Sequence, residues 1–206
     1  MQNKKAMQAL SYGLFVLTAR QGDKDNGCII NTGMQVTTDP NRVIFTVNKQ
    51  NFTHDMVMET GKFTLNILSE GADMALFERF GFQSGRDVDK FDGFDAVERG
   101  DNGILRVTRG VNAWISGTVV SATDLGSHTL FIAEVVDGDV LSSAPSVTYA
   151  YYQSNIKPKP EAPKAPTTKK RWVCKVCGYV YEGDELPADF VCPLCKHPAS
   201  DFELME

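Results

Sequence analysis

Four of the five cysteines, Cys174, Cys177, Cys192 and Cys195, fall within 22 residues as two C-x-x-C pairs. A C-x-x-C turn aims two sulfurs at one point while backbone N–H groups point back at them. Two such turns facing each other make a tetrahedral four-sulfur cage, the coordination that suits zinc or iron. Gly178 follows the second cysteine, where a missing Cβ lets the chain pass close to sulfur. Trp172, Tyr179, Tyr181, Phe190 and Phe202 supply aromatic bulk around the pattern. A unit spanning only residues 171–206 buries too little apolar surface to fold on that alone, so a bound metal is expected to supply most of its stability.

The compartment follows from the same cysteines. Secreted chains of this kind use disulfides, whereas clustered pairs in a cytoplasmic chain read as metal ligands. Lys4 and Lys5 before the mildly apolar stretch from Ala6 to Ala19 loosely copy a signal peptide. Gln8, Ser11, Tyr12 and Gly13 interrupt that stretch, and Arg20 stands where small residues mark cleavage. We therefore read a helix running into a first strand, and a cytoplasmic protein. No apolar run approaches the roughly 18 residues of a membrane span.

Lys157 to Lys170, KPKPEAPKAPTTKK, separates this unit from the rest. Its four prolines favour an extended, polyproline-like tether. The domains expected are thus 1–156, the linker 157–170, and 171–206. Net charge is −5 overall, divided as −5, +4 and −4 over these three stretches. No part presents the basic face that nucleic acid requires. The acidic C-terminal unit suits a positively charged partner surface.

Residues 1–156 read mostly as strands: Leu14–Ala19, Val43–Val47, Phe63–Leu68, Trp114–Ala122 and Thr129–Val136, the last two joined by a connection over 123–128. Two helices are expected, one capped by Thr53 and ended by Gly61, the other from Ala72 to Phe80. Many strands with few helices predict a mainly β (β+α) domain built as a closed or nearly closed barrel. Residues 26–54 read as a loop rich in Asn, Thr, Gly and Gln, then Asp39-Pro40, a strand, and N-K-Q-N-F-T-H. Lys49, Asn48, Asn51 and Thr53, with the N–H groups of the helix start, offer a phosphate site. Asn31, Thr32 and Gln35 offer hydrogen bonds to the edge of a heterocycle.

Two resemblances sharpen this reading. C-K-V-C-G-Y-V-Y with C-P-L-C resembles rubredoxin, with the short spacing of rubredoxin domains fused to other redox modules. That implies one iron held by Cys174, Cys177, Cys192 and Cys195. The usual long central loop is absent, and Lys196 stands where many rubredoxins have glycine. Over residues 5–155, N-T-G-M-Q-V-T-T-D-P, N-K-Q-N-F-T-H, G-K-F-T-L-N-I-L and L-G-S-H-T-L-F-I-A-E-V look like the flavin reductase family with a split β-barrel. This implies FMN, a homodimer with flavin near the subunit interface, and flavin contacts at Asn31, Thr32, Gln35, Asn48, Lys49, Asn51, Thr53 and His54. It also brings His128 to the flavin's reactive face as the catalytic candidate.

The whole is similar to the fused flavin reductase–rubredoxin proteins called high-molecular-weight rubredoxins. That resemblance implies electron flow from NAD(P)H through FMN and iron to a flavodiiron protein that reduces NO or O₂. The competing reading is an NAD(P)H:flavin oxidoreductase that releases reduced flavin and carries a structural zinc domain. Of the remaining residues, Cys28 reads as a small buried side chain, the loop at Phe80–Asp87 with Arg86 as a surface loop, and Tyr149, Tyr151 and Tyr152 as packing or subunit-contact residues. There is no G-x-G-x-x-G and no Walker loop, so a Rossmann site is not expected.

Overall fold

The computed structural model describes residues 6, 9–158, 170–176, 178–193 and 197–205. The expected N-terminal helix and most of the linker lie outside these residues, as do Cys177 and Cys195. No described helix is long and apolar enough to cross a membrane.

Nine strands and two principal helices make up the larger unit. In chain order these are β1 (Phe15–Gln21), β2 (Lys24–Ile30), β3 (Met34–Thr38), β4 (Asn41–Asn48), α1 (Phe52–Thr60), β5 (Lys62–Leu68) and α2 (Met74–Gly81). There follow β6 (Val97–Arg99), β7 (Leu105–Val107), β8 (Val111–Asp124), β9 (His128–Val140) and α3 (Tyr149–Tyr151), which runs into a π-helical turn, Tyr152–Ile156. Seven strands form one sheet in the order β2-β1-β5-β8-β9-β4-β3, and β6 and β7 form a separate hairpin. Each neighbouring pair in the large sheet is antiparallel.

The sheet curls on itself. Phe15, Leu17, Cys28 and Ile30 from one end share a core with Val43, Phe45, Val47 and Phe131 from the other. The edge strands β2 and β3 are joined by a short loop, and among the described residues no ladder pairs them. The barrel is therefore split along that seam. α1 plugs it with Met56 and Val57, both fully buried.

A second core lies outside the barrel wall. Leu14, just before β1, and Val16 within it meet Leu76, Phe77 and Phe80 of α2 and Phe94, Val107 and Tyr152. β1 is thus buried on both faces, which is why it reads as an unbroken apolar run rather than as an alternation. β4, with one face inward, alternates as expected. Gly27 on β2 makes room for α2: a Cβ there would sit 3.1 Å from the Phe80 ring.

Several expectations are corrected. The polar stretch 26–38 is not one loop but most of two strands, β2 and β3, because edge strands need no apolar alternation. The first helix starts two residues early, with Asn51 rather than Thr53 at its N-cap. Gly61 ends it in the left-handed region, φ 65°, donating to Val57. The connection between β8 and β9 is only Leu125–Ser127, and His128 opens β9. The β6–β7 hairpin, three residues per strand, carries too little pattern to be seen in sequence.

The C-terminal unit is a three-stranded sheet, β11 (Val180–Glu182), β10 (Arg171–Cys174) and β12 (Phe202–Leu204), antiparallel throughout. Its core is Cys174, Cys192 and Phe202 with Trp172, Tyr179, Tyr181 and Phe190 around them.

Gly117 shows how tightly the barrel is closed. It sits where the β8–β9 register shifts, and a Cβ would meet the Glu134 carbonyl and lie 2.9 Å from the Phe63 ring. Neither neighbour can yield without breaking a ladder or the core. Gly117→Ala is expected to lower stability by about 1–3 kcal/mol, read as a fall of several degrees in the melting temperature by calorimetry.

Candidate functional site

Two sites are built at separate places in the chain. The first gathers at one end of the β4–β9 ladder. Asn48, the last residue of β4, pairs directly with His128, the first of β9. The Lys49 N–H donates to the Ser127 carbonyl at 3.0 Å, tying the chain leaving β4 to the β8–β9 turn. The Asn48 side-chain oxygen accepts from Gln50 N–H, and its carbonyl accepts from Asn51 N–H. This turn aims α1's N-terminus at the ladder end. Asn51 makes no side-chain capping bond there, so the helix presents uncapped N–H groups and the positive end of its dipole.

Lys49 stands beside that terminus with Nζ 2.6 Å from Asp124. The Lys49 bond, helped by the Gly126 N–H, holds the Asp124 carboxyl below its ordinary range. The β2–β3 loop reaches the same region. The Thr46 N–H donates to the Thr32 hydroxyl, and the two threonine hydroxyls lie 2.6 Å apart, which fixes Asn31 and Thr32 along β4. Asn31, Thr32, Asn48, Lys49, Asn51 and His128 thus come together. His128 is half-buried, with its Nδ1 2.9 Å from the Ser127 hydroxyl.

Thr53 and His54 belong to the same corner but face inward. Thr53 is fully buried and accepts from Asn26 at 3.1 Å. His54 Nε2 lies 2.8 Å from the Thr129 hydroxyl and Nδ1 3.0 Å from Asp55. Asp55 also receives Arg86 at 2.5 Å. The bond with His54, then that with Arg86, holds the Asp55 carboxyl below its usual range. Arg86 further lies over the Phe52 ring, so the loop carrying it is fastened to the first turn of α1. Gln35 stands apart from these residues: it is exposed on β3, bonded to Asn41 at 2.8 Å.

Gln35 lines an open, largely apolar cavity of about 670 Å³ walled by Phe15, Leu65, Ile67 and Ile115. Trp114 projects from the other face of β8, where Arg106 lies over its ring. Sequence reasoning missed Asp55 and Ser127. No motif marks them, and only the folded sheet brings them to the site. Behind the site, Lys90 is buried and donates to the carbonyls of Gly27 and Phe80 at 2.9 and 3.1 Å, and burial pulls its pKa down. Burial pushes the nearby Cys28 thiol up, against the opposing influence of Lys90 and Thr53, in keeping with a packed rather than a reactive side chain.

The second site is the cysteine unit. Cys174 and Cys192 are both fully buried and lie in one cluster. Their turns close alike: Cys174 N–H donates to the carbonyl of Tyr179 and Cys192 N–H to that of His197, each five residues on and each at 2.8 Å. Gly178 donates to the Cys174 carbonyl with φ 81°, a conformation only glycine adopts without strain. Among the described residues no three metal-ligating side chains cluster, since Cys177 and Cys195 lie outside them. Two sulfurs buried together in matched turns fit a thiolate-held metal, the sequence supplying the other two ligands.

Comparison with known proteins gives a family for each of the two units. Residues 7–159 match the flavin reductase like domain, and residues 172–203 match the rubrerythrin, rubredoxin-like domain. The chain is 32% identical to the high molecular weight rubredoxin of Moorella thermoacetica, over 97% of this chain and 98% of that one. It is 36% identical to the ferric-chelate reductase (NAD(P)H) of Archaeoglobus fulgidus, over 79% of this chain and 95% of the other. Among solved structures, the NADH:FAD oxidoreductase SgcE6 of Streptomyces globisporus C-1027, in complex with NAD and FAD fragments, has a like fold, with a TM-score of 0.63 at 21% identity over 79% of this chain and 93% of that one. The chain belongs to the flavin reductase-like family and carries a rubredoxin-like domain behind that barrel, the arrangement of the high-molecular-weight rubredoxins.

Proposed function

We propose that this protein is an NAD(P)H-dependent oxidoreductase that passes electrons from FMN in the barrel to one iron in the C-terminal unit, and from there to a partner protein. The observation that carries the reading is the joining, in one chain, of a flavin reductase-like barrel with an uncapped helix end and a pair of matched, buried cysteine turns. When bound, flavin takes up a hydride and yields electrons singly, and a four-thiolate iron takes them one at a time.

The residues divide the work. The α1 N-terminus, Lys49, Asn48 and Asn51 hold the FMN phosphate, favouring FMN over an uncharged flavin. Asn31 and Thr32 bond the ring's polar edge, and His128 faces the reacting side, whereas Gln35 and the apolar cavity lie toward the other end of the β4–β9 ladder. Thr53 and His54 serve from within, fixing α1 to Asn26 and Thr129 so that the anion site keeps its place. The relatives named NAD(P)H- and NADH-dependent reductases support a nicotinamide donor.

A homodimer through the barrel fits the exposed apolar side chains Met34, Val36, Val136 and Val140 on β3 and β9, of which all but Val36 edge the cavity. The acidic C-terminal unit fits a basic surface on an acceptor of the flavodiiron kind. Reduced thiolates at four cysteines fit a cytoplasmic setting.

Three measurements test this. In anaerobic stopped-flow mixing with NADH or NADPH, flavin absorbance bleaches first and ferric–thiolate absorbance follows. Iron that stays oxidised, or a zinc-containing sample without ferric colour, overturns the reading in favour of a flavin-releasing reductase. Lys49→Ala removes one charge-assisted bond and is expected to weaken FMN binding about 10- to 100-fold while leaving riboflavin binding unchanged, by fluorescence titration. Cys174→Ser or Cys192→Ser is expected to cut bound metal at least tenfold by elemental analysis, to melt the C-terminal sheet, and to leave barrel flavin content intact.

A further inference from the structure

The barrel reaches the region of the first cysteine turn. Phe82, which caps the C-terminal end of α2, packs against the cluster of Cys174, Cys192 and Phe202. Lys157, just past the π-helical turn, donates its Nζ to the carbonyl of Lys175, inside the first C-x-x-C. A Cβ on Gly178 would lie 3.4 Å from the Pro158 carbonyl. Beside the Lys157 and Pro158 contacts lies a cleft of about 720 Å³ with Tyr12, Tyr149 and Ser154 on the barrel side and Val173, Cys174 and Glu203 on the other.

The barrel side of this contact is a preformed corner. Tyr152 packs on Phe77 of α2 with ring centroids 4.5 Å apart, and Tyr149 meets both Tyr152 and Tyr12. Thr148 caps the first turn of α3 by accepting from Tyr151 N–H. Phe82 and Lys157, far apart in sequence, are therefore held at fixed positions relative to each other. Chain continuity accounts for the nearness of Lys157 to the C-terminal unit, but not for that of Phe82.

We infer that the corner formed by the end of α2 and the α3 turn is a docking surface for the metal-bearing turn of the same chain's own C-terminal unit. Phe82 provides the apolar contact, and Lys157 reads the carbonyl of the cysteine turn. Phe82 is also four residues before Arg86, whose loop is fastened to the start of α1, so the docked turn abuts the loop that borders the proposed FMN phosphate site. A consequence follows that rests on the electron-transfer reading above: while docked, the first cysteine turn lies against the barrel, so it serves an outside acceptor only after lifting off.

The docking itself is tested without electron transfer. Full-length holoprotein is treated with an amine-reactive cross-linker, and the yield of the Lys157–Lys175 link is measured by mass spectrometry. Phe82→Asp keeps both lysines and is expected to lower that yield at least threefold with the barrel's melting temperature unchanged. An unchanged yield overturns the proposal, because the tether alone would then explain the proximity. Phe82→Ala removes the ring without adding charge and decides the matter if the aspartate variant does not fold: a fall in yield supports docking and no fall overturns it. Mixing isotopically light and heavy protein is expected to give links within one label only, and mixed-label links would overturn the same-chain assignment. In stopped flow, the same variants should slow iron bleaching at least tenfold and leave flavin bleaching unchanged. If iron never reduces even in the unsubstituted protein, the functional reading fails while the cross-link result stands.

Discussion

The register between β4 and β9 decides what the barrel can do. Val43, Phe45 and Val47 must point into the core, and that choice forces Ile44, Thr46 and Asn48 to the other face. Phe131 and Ala133 also face inside, paired with Phe45 and Val43, and that register sets Asn48 against His128. A slip of one residue would turn every inward side chain outward. The core thus fixes where the chain leaves β4, and hence where α1 begins and its uncapped N–H groups point. The polar residues at that end are placed by the apolar ones packed in the core.

The same logic separates what was legible in the sequence from what was not. VIFTV showed β4 because one face is wet and one dry. The cysteine pairs were legible because metal coordination imposes spacing directly on sequence. Residues 26–38 read as loop since β2 and β3 are edge strands, where Asn26, Gly27 and the threonines break the pattern without breaking the ladder. Asn51 was overlooked as the helix start because a cap left unbonded carries no capping-box signal. Thr53 and His54 carry the right chemistry for ligand contact, but only the fold reveals that Asn26 and Thr129 already engage them. Asp55 had no mark as a site residue, since Arg86 reaches it from a distant loop.

Burial also explains why so many polar groups stand close to the candidate flavin site without being part of it. Lys90, Asn26, Asn66 and Thr18 are buried, and each is bonded to backbone or to another side chain. Lys90 is the extreme case, its ammonium shared by two carbonyls that tie β2 to the end of α2. An ammonium drawn from water is costly unless its donors are used. Here they fasten the loop from Phe82 to Lys90 at its far end, as Arg86 fastens it near its middle. That loop is accordingly a fixed border between the two sites rather than a loose connection.

A fixed border matters more when the two sites must meet only briefly. Joining two units by a short tether gives an effective concentration on the order of millimolar. At that concentration a contact as weak as one aromatic ring and one lysine–carbonyl bond is enough to keep the C-terminal unit docked much of the time. The same weakness makes release fast, because few bonds must break. A large, fully apolar interface would hold the cysteine turn against the barrel too long for it to serve a second protein. The small contact made by Phe82 and Lys157 suits the proposed carrier role, in which the C-terminal unit alternates between the barrel and an acceptor.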